Sequence, residues 1–176
     1  MAKMQPFWWF LPPVLVTYGY NTWRYADNFV YPWFMFKLLD IVVPAKVRIR
    51  KMQCAFSNYI SGTVTAYGII VKDGAIIAFT STASNDTSTP HLYDLPVALA
   101  GDGVTPITYI DLEPGTYDIM VRLCSSNYLA IWVNGGGDIG AAGSAYMQMG
   151  SCYGFDTTDN NPSTHAYVIA MVGELR

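Results

Sequence analysis

From Ile41 onward no stretch longer than a turn or two sustains a helical period, and short β-branched and aromatic runs alternate with Gly, Pro, Asn, Asp and Ser. A chain punctuated this way can bury its apolar residues only by pairing strands, so an all-β fold is expected. In Val47-Arg-Ile-Arg50, continuing through Met52, Cys54 and Phe56, one face is core and the other carries Lys46, Arg48 and Arg50. The chain turns over Asn58–Gly62, returns as Thr63–Val71, turns tightly at Asp73-Gly74 and runs back as Ala75–Thr80, a hairpin whose Asp-Gly pair supplies positive φ. Leu92–Leu99, Thr105–Leu112, Thr116–Leu123, Tyr128–Val133 and His165–Val172 complete the set. Glu113-Pro114-Gly115 is a turn signal with proline preset for the second position and glycine for a left-handed third. Seven or eight strands at this spacing predict a β-sandwich, a jelly roll ahead of an up-and-down barrel. At 176 residues the chain accommodates one such domain, residues 41–176, plus an appendage, residues 1–40.

The appendage is the aromatic opening MAKMQPFWWFLPPVLVTYGY. Lys3 and the apolar run that follows imitate a secretory signal, but Pro12-Pro13 breaks any helix in mid-run and no small-residue cleavage site follows. A membrane span needs about twenty apolar residues in one helix, and Pro6, Pro12 and Pro13 interrupt this run, so no membrane association is expected. Paired prolines favour extended backbone that gains order by lying on another surface. Phe7, Trp8, Trp9, Phe10, Leu11, Val14, Leu15 and Val16, with Trp23 beyond them, supply the apolar area for such an arm. The competing reading is a segment that packs back on its own domain as an edge strand. Between arm and domain, Trp33–Leu39 suits a short helix or a buried strand, and the β-rich context favours an extended strand.

Charged residues make up 13% of the chain against a typical quarter, whereas aromatics reach 15%. Much of the usual solvated surface is missing, which implies that something covers it. A net charge of −3 gives no electrostatic basis for binding nucleic acid. Lys46, Arg48, Arg50 and Lys51 form the one basic cluster, either a solvated sheet face or a dock for an acidic partner surface. Arg48 and Arg50 therefore join the arm residues as candidate partner contacts.

Chemistry is harder to find. Cys54, Cys124 and Cys152 are odd in number, with no CxxC and no histidine at zinc spacing, and read as small core residues, one disulfide with a leftover thiol being the alternative. Gly135-Gly-Gly-Asp-Ile-Gly140 satisfies GxGxxG, yet no helix-forming sequence follows to hold a pyrophosphate, so it reads as an inter-strand loop. Two polar tracts, Ser81–His91 and Asp156–His165, read as solvent loops rather than a site pairing His91 and His165 with Asp86, Asp156 or Asp159. Asn85-Asp86-Thr87 fits a glycosylation sequon. With no nucleophile elbow, HExxH or carboxylate pair beside a base, neither enzymatic activity nor a metal or cofactor is expected.

The order Ser61-Gly62-Thr63, Tyr67-Gly68-Ile69-Ile70 with its Asp73-Gly74 hairpin, then Leu112-Glu-Pro-Gly-Thr-Tyr117 leading to a strand and Leu129-Ala-Ile-Trp132, resembles the β-sandwich domains of bacteriophage virion proteins. The resemblance covers roughly residues 28–134. It implies a non-enzymatic virion component, typically a homotrimer: a capsid decoration or cement protein assembled in the host cytoplasm and bound to major capsid protein or sister subunits. A fibre-tip or receptor-binding protein is the second expectation, and a cellular carbohydrate-binding sandwich the third.

Overall fold

The computed structural model describes residues 15–19, 25–29, 33–58, 62–89, 91–125, 129–134, 144–149, 161–162, 166–167 and 169–176. The fold is all-β, with no helix among the described residues. Fifteen strands follow in chain order: β1 (Leu15–Gly19), β2 (Tyr25–Phe29), β3 (Trp33–Val43), β4 (Val47–Asn58), β5 (Val64–Lys72), β6 (Ala75–Thr80), β7 (Ala83–Asn85), β8 (His91–Ala100), β9 (Ile110–Leu112), β10 (Gly115–Ser125), β11 (Leu129–Asn134), β12 (Ser144–Met149), β13 (Asn161–Pro162), β14 (Ala166–Tyr167) and β15 (Ile169–Leu175).

All pairings are antiparallel, and one continuous sheet curls into two layers. The front layer runs β1-β15-β4-β8, with β9 beside the start of β4 and β11 beside its end. The back layer runs β8-β6-β5-β10-β3-β12-β13. Strand β8 belongs to both: His91–Pro96 pairs with β4, and Val97–Ala100 pairs with β6. The switch falls at Pro96, which has no N–H to give a ladder, and a bulge follows at once on β8. Between the layers lies the main core, with Phe36, Leu38, Ile49, Met52, Phe56, Leu95, Ile119 and Met171 fully buried.

Bulges set which side chains reach that core. On β4 the inward residues change phase, from Val47 and Ile49 to Met52, Cys54 and Phe56. Against β15, Gly173 faces Ile49 and Val172 faces Lys51, so Arg50 is the inserted residue that shifts the phase. Strand β3 does the same: Phe36 and Leu38 are inward, then Ile41 and Val43, with a register shift against β10. There Asp40 takes φ 58° and its N–H donates to an Asp118 carboxylate oxygen at 2.9 Å. Residue 40, where the arm was expected to give way to the domain, thus lies inside β3, whose two edges pair β10 and β12.

The centre of the back layer, where β3, β5 and β10 meet, is buried on both faces. Met35, Ile69, Val71 and Met120 form a second apolar cluster away from the main core, and Lys37 and Arg122 beside them are also buried. Two-sided burial explains the unbroken apolar runs of β5 and β10, which alternation alone does not predict.

Most turns follow the sequence. Asp73 and Gly74 take φ 51° and 77°, as a type I′ hairpin requires. Gly62 takes φ 95°, and Asn58 Nδ2 donates to its carbonyl at 2.9 Å. Three expectations are corrected. Gly115 is not left-handed: it opens β10 paired to Val43, and the turn is held instead by Tyr117 Oη donating to Glu113 O at 2.8 Å. Thr105–Leu112 is not one strand, because Asp102 accepts from the N–H groups of Val104 and Thr105 and turns the chain. Only an isolated bridge at Pro106 and the short β9 remain. Ser81–His91 is not simply a loop, because Ala83–Asn85 pairs with Val64–Ala66 as β7.

Candidate functional site

The outward face of β4 carries the basic cluster, and the sheet supplies its partners. Arg48 pairs directly across from Asp111 on β9, so the two side chains emerge together. The guanidinium grips the carboxylate at both ends, Nε to Oδ1 and Nη2 to Oδ2, each 2.7 Å. Its other surface lies 3.7 Å from the centre of the Tyr109 ring. The hydrogen bond from Arg48 holds the Asp111 carboxyl below its ordinary range, and the same bond raises Arg48. At one end Lys46 pairs with Glu113. At the other, Asp94 accepts from Lys51 Nζ at 2.7 Å and Gln53 Nε2 at 2.9 Å. Burial pushes Asp94 up, but these two bonds prevail and hold its pKa low.

Glu174 on β15 joins Arg50 to Arg176. Its Oε1 accepts from Arg50 Nη2 at 2.9 Å and from Arg176 Nη2 at 2.7 Å. Arg176 is anchored in turn by its backbone N–H, which donates to Lys46 O at 3.0 Å. Beside this triad is a groove of about 320 Å³ lined by Arg50, Lys51, Val172, Gly173 and Glu174. Its floor requires a glycine: a Cβ on Gly173 would stand 2.1 Å from Arg48 O. Five of the ten Lys and Arg residues of the chain, Lys46, Arg48, Arg50, Lys51 and Arg176, share this face.

Of the candidate partner contacts, Arg48 and Arg50 lie here, and Leu15 opens β1 opposite Glu174. The structure thus brings Leu15 and Arg50 to the same end of the front layer, through Glu174. Phe7, Trp8, Trp9, Phe10, Leu11, Val14 and Trp23 lie outside the described residues, as do Cys152, Asp156, Asp159, His165 and the glycine run 135–140. His91 is exposed at the start of β8, its ring edge-on to Tyr93 at 6.1 Å. Cys54 is buried in the core, and burial pushes its thiol well up; Cys124 is half-buried. No group of three or more metal-ligating side chains occurs among the described residues, and they include no helix long and apolar enough to cross a membrane.

Sequence reasoning found four of the five cations of this face, Lys46, Arg48, Arg50 and Lys51, and missed Arg176 together with Asp94, Tyr109, Asp111, Glu113 and Glu174. Two of them had a local signal, because Asp111 sits between two apolar residues in Ile110-Asp-Leu112 and Glu174 stands just before Leu175 at a strand end.

A second groove, of about 360 Å³, lies in the back layer and is lined by Tyr67, Phe79, Thr80, Thr82, Leu99 and Gly103. It is aromatic in character; the Tyr67 hydroxyl accepts from Arg122 Nη1 at 3.1 Å, and Thr80 Oγ1 accepts from the N–H of Gly68 at 2.7 Å.

No family model and no curated protein matches the sequence. Solved structures with some likeness are β-rich and include a carbohydrate-binding module and a viral capsid protein. The C-terminal family 6 module of LamC, a laminarinase of the marine Zobellia galactanivorans, aligns at TM-score 0.35 and 7% identity, over 68% of this chain and 96% of that one. The clostridial cysteine protease Cwp84 aligns at 0.46 and 10% identity, over 85% of this chain and 38% of the protease. A chain of infectious bursal disease virus, Gx strain, aligns at 0.36 and 14% identity, over 94% of this chain and 38% of the viral one. This chain therefore spans under two-fifths of the protease and viral chains.

Proposed function

We propose that this chain is a non-enzymatic structural protein of a bacteriophage virion, a capsid decoration or cement protein that docks through its aromatic opening and the charged front face. The observation that carries the reading is the β1–β15 register, Leu15 opposite Glu174. Leu11 is only four residues before Leu15 in the sequence, and Glu174 accepts from Arg50 and Arg176, so apolar and charged contacts can act on one partner surface. Aromatic area supplies most of the binding free energy in such a contact, and the charges fix orientation. The partner is major capsid protein or a sister subunit of a homotrimer, at the capsid surface.

Quantitative mass spectrometry of purified particles tests this. Hundreds of copies per particle support a shell-covering role, a few dozen a fibre or tail component, and none removes the virion reading. A truncation test must stop before Leu15: removing residues 2–13 should leave a folded body that no longer joins particles, whereas longer deletions also remove β1.

The Tyr67–Phe79 groove favours a second reading, a carbohydrate-binding module. An apolar groove with ring side chains in its lining is the kind of surface that suits the apolar face of a pyranose ring. Saturable binding of a soluble glucan, lost in Phe79→Ala, would select it.

A further inference from the structure

We propose that Arg50 and Arg176 form a fork that binds a carboxylate presented by an acidic segment of a neighbouring protein chain, with Glu174 as its positioning residue. The inference deepens the docking reading above and rests on it. Two guanidinium groups share one oxygen of Glu174, which takes a single donor from each. The anion is the buried member: the Glu174 side chain is 11% exposed, against 53% for Arg50 and 37% for Arg176. A carboxylate held inside the protein fixes both cations and leaves their remaining donors facing outward.

Arg48 is excluded from this role, because Asp111 takes two of its donors and Tyr109 covers its face. Arg50 spends one donor on Glu174 and stands 5.8 Å from the Tyr109 ring, and its remaining N–H groups meet no partner among the described residues. Its freedom follows from the bulge: as the inserted residue of β4, Arg50 is released from the strict alternation of the pleat. Lys51 on the groove wall is already answered by Asp94.

The groove selects the kind of anion. Planar, two-oxygen acceptors suit guanidinium forks, and the floor of Val172 and Gly173 offers an apolar bed for the stem of a Glu side chain and the backbone of an extended segment. A bare phosphate would leave that floor unused. Charge complementarity points the same way: outside this face the chain is acidic, since its net charge is −3 while half its basic residues gather here. An acidic segment of a second copy of this chain therefore meets attraction at this spot.

The test uses the full chain, a tetraglutamate peptide capped at both ends, and inorganic phosphate in parallel, followed by calorimetry and by the arginine Nε–Hε signals in NMR. Saturable peptide binding should weaken about tenfold or more in Arg50→Gln, the loss expected for charge-assisted hydrogen bonds. It should fall part-way in Arg50→Lys, which keeps the charge and loses the fork, and stay unchanged in Lys72→Gln, an equal charge change on the back layer. Peptide affinity equal in Arg50→Gln and the unaltered chain overturns the fork, as does phosphate binding as tightly as the peptide. The measurement needs no particle. Intact peptide binding by a chain absent from virions would overturn the virion reading alone, and abundant virion copies without an Arg50 effect would overturn the fork alone.

Discussion

The carboxylate of Asp118 accepts the backbone N–H of Asp40 at 2.9 Å across the β10–β3 bulge, and Asp40 holds φ 58° to deliver it. The left-handed turn in β3 thereby becomes a fixed feature, because it returns Ile41 to the core after Leu38. Left-handed backbone costs an ordinary residue about 1–2 kcal/mol, and asparagine, aspartate and glycine bear it best. Asp40→Val should lose about that much stability in urea denaturation, while Asp40→Gly should stay within about 1 kcal/mol of the unaltered chain.

Asp118 also sets a slope in acid. Burial raises its pKa above the usual carboxylate value of 3.8, outweighing the Asp40 N–H and the charge of Lys37, which lower it. The folded protein therefore binds this proton more tightly than the unfolded chain, and the contribution of Asp118 declines as pH rises from the ordinary value through the raised one. Asp94 and Asp111 act in the opposite sense: their pKa values are depressed, so their stabilisation is present above the ordinary carboxylate range and lost as pH falls through the depressed values. Urea midpoints measured from pH 3 to 6 should show a steeper acid loss in Asp118→Asn than in the unaltered chain.

Asn85 should be among the least replaceable polar residues. Its Nδ2 donates to Phe56 O at 3.0 Å and Thr89 O at 3.1 Å, and its Oδ1 accepts from the Thr87 N–H at 2.8 Å and Thr87 Oγ1 at 3.0 Å. Asn85→Ala orphans buried backbone groups at about 1–3 kcal/mol each. Asn85→Asp should be worse, because it turns an oxygen toward two carbonyls. Thermal melts rank the variants, and faster amide exchange at Asn58, whose N–H donates to Thr87 O, would place the damage.

Gly173→Ala should be severe for a steric reason. Its Cβ would meet Arg48 O at 2.1 Å, which forces the β15–β4 bulge apart. A loss of about 3 kcal/mol or more is expected, in the range of overpacked or strained sites. Gly74→Ala serves as the contrast, since its Cβ meets open space and only its φ of 77° opposes the change, at about 1 kcal/mol.

Arg48→Lys tests the face itself. Lysine keeps the charge but loses the two-point grip on Asp111 and the flat contact with Tyr109. The urea midpoint of Arg48→Lys should fall slightly below that of the unaltered chain, and the gap should narrow in high salt.

Local chemistry made the strands legible. Asp73-Gly74 announced its hairpin because only a few residues tolerate two consecutive positive φ values, and β4 announced its inward residues through spacing. What the sequence could not disclose is non-local. Nothing near Arg48 names Asp111 as its partner, because a pleated register 63 residues away in the chain decides it. The phase change at Arg50 is visible as Ile49 followed by Met52, yet the bulge that causes it needs β15 opposite. Thr105–Leu112 looked like one strand because its composition is strand-like, and the side chain of Asp102 overrode that composition. The second buried face of β10 was legible only as an apolar excess at Ile119–Leu123, with Arg122 set inside it.

Because β15 lies between β1 and β4, the earliest described strand has no place in the front sheet until one of the last has been made. A ribosome adds about 5–20 residues per second, so β1 waits for seconds outside the exit tunnel with its pairing partner still unsynthesised. During that interval the edge of β1 stands unpaired, close in sequence to the aromatic run Phe7–Leu11, and soluble yield depends on what shields it.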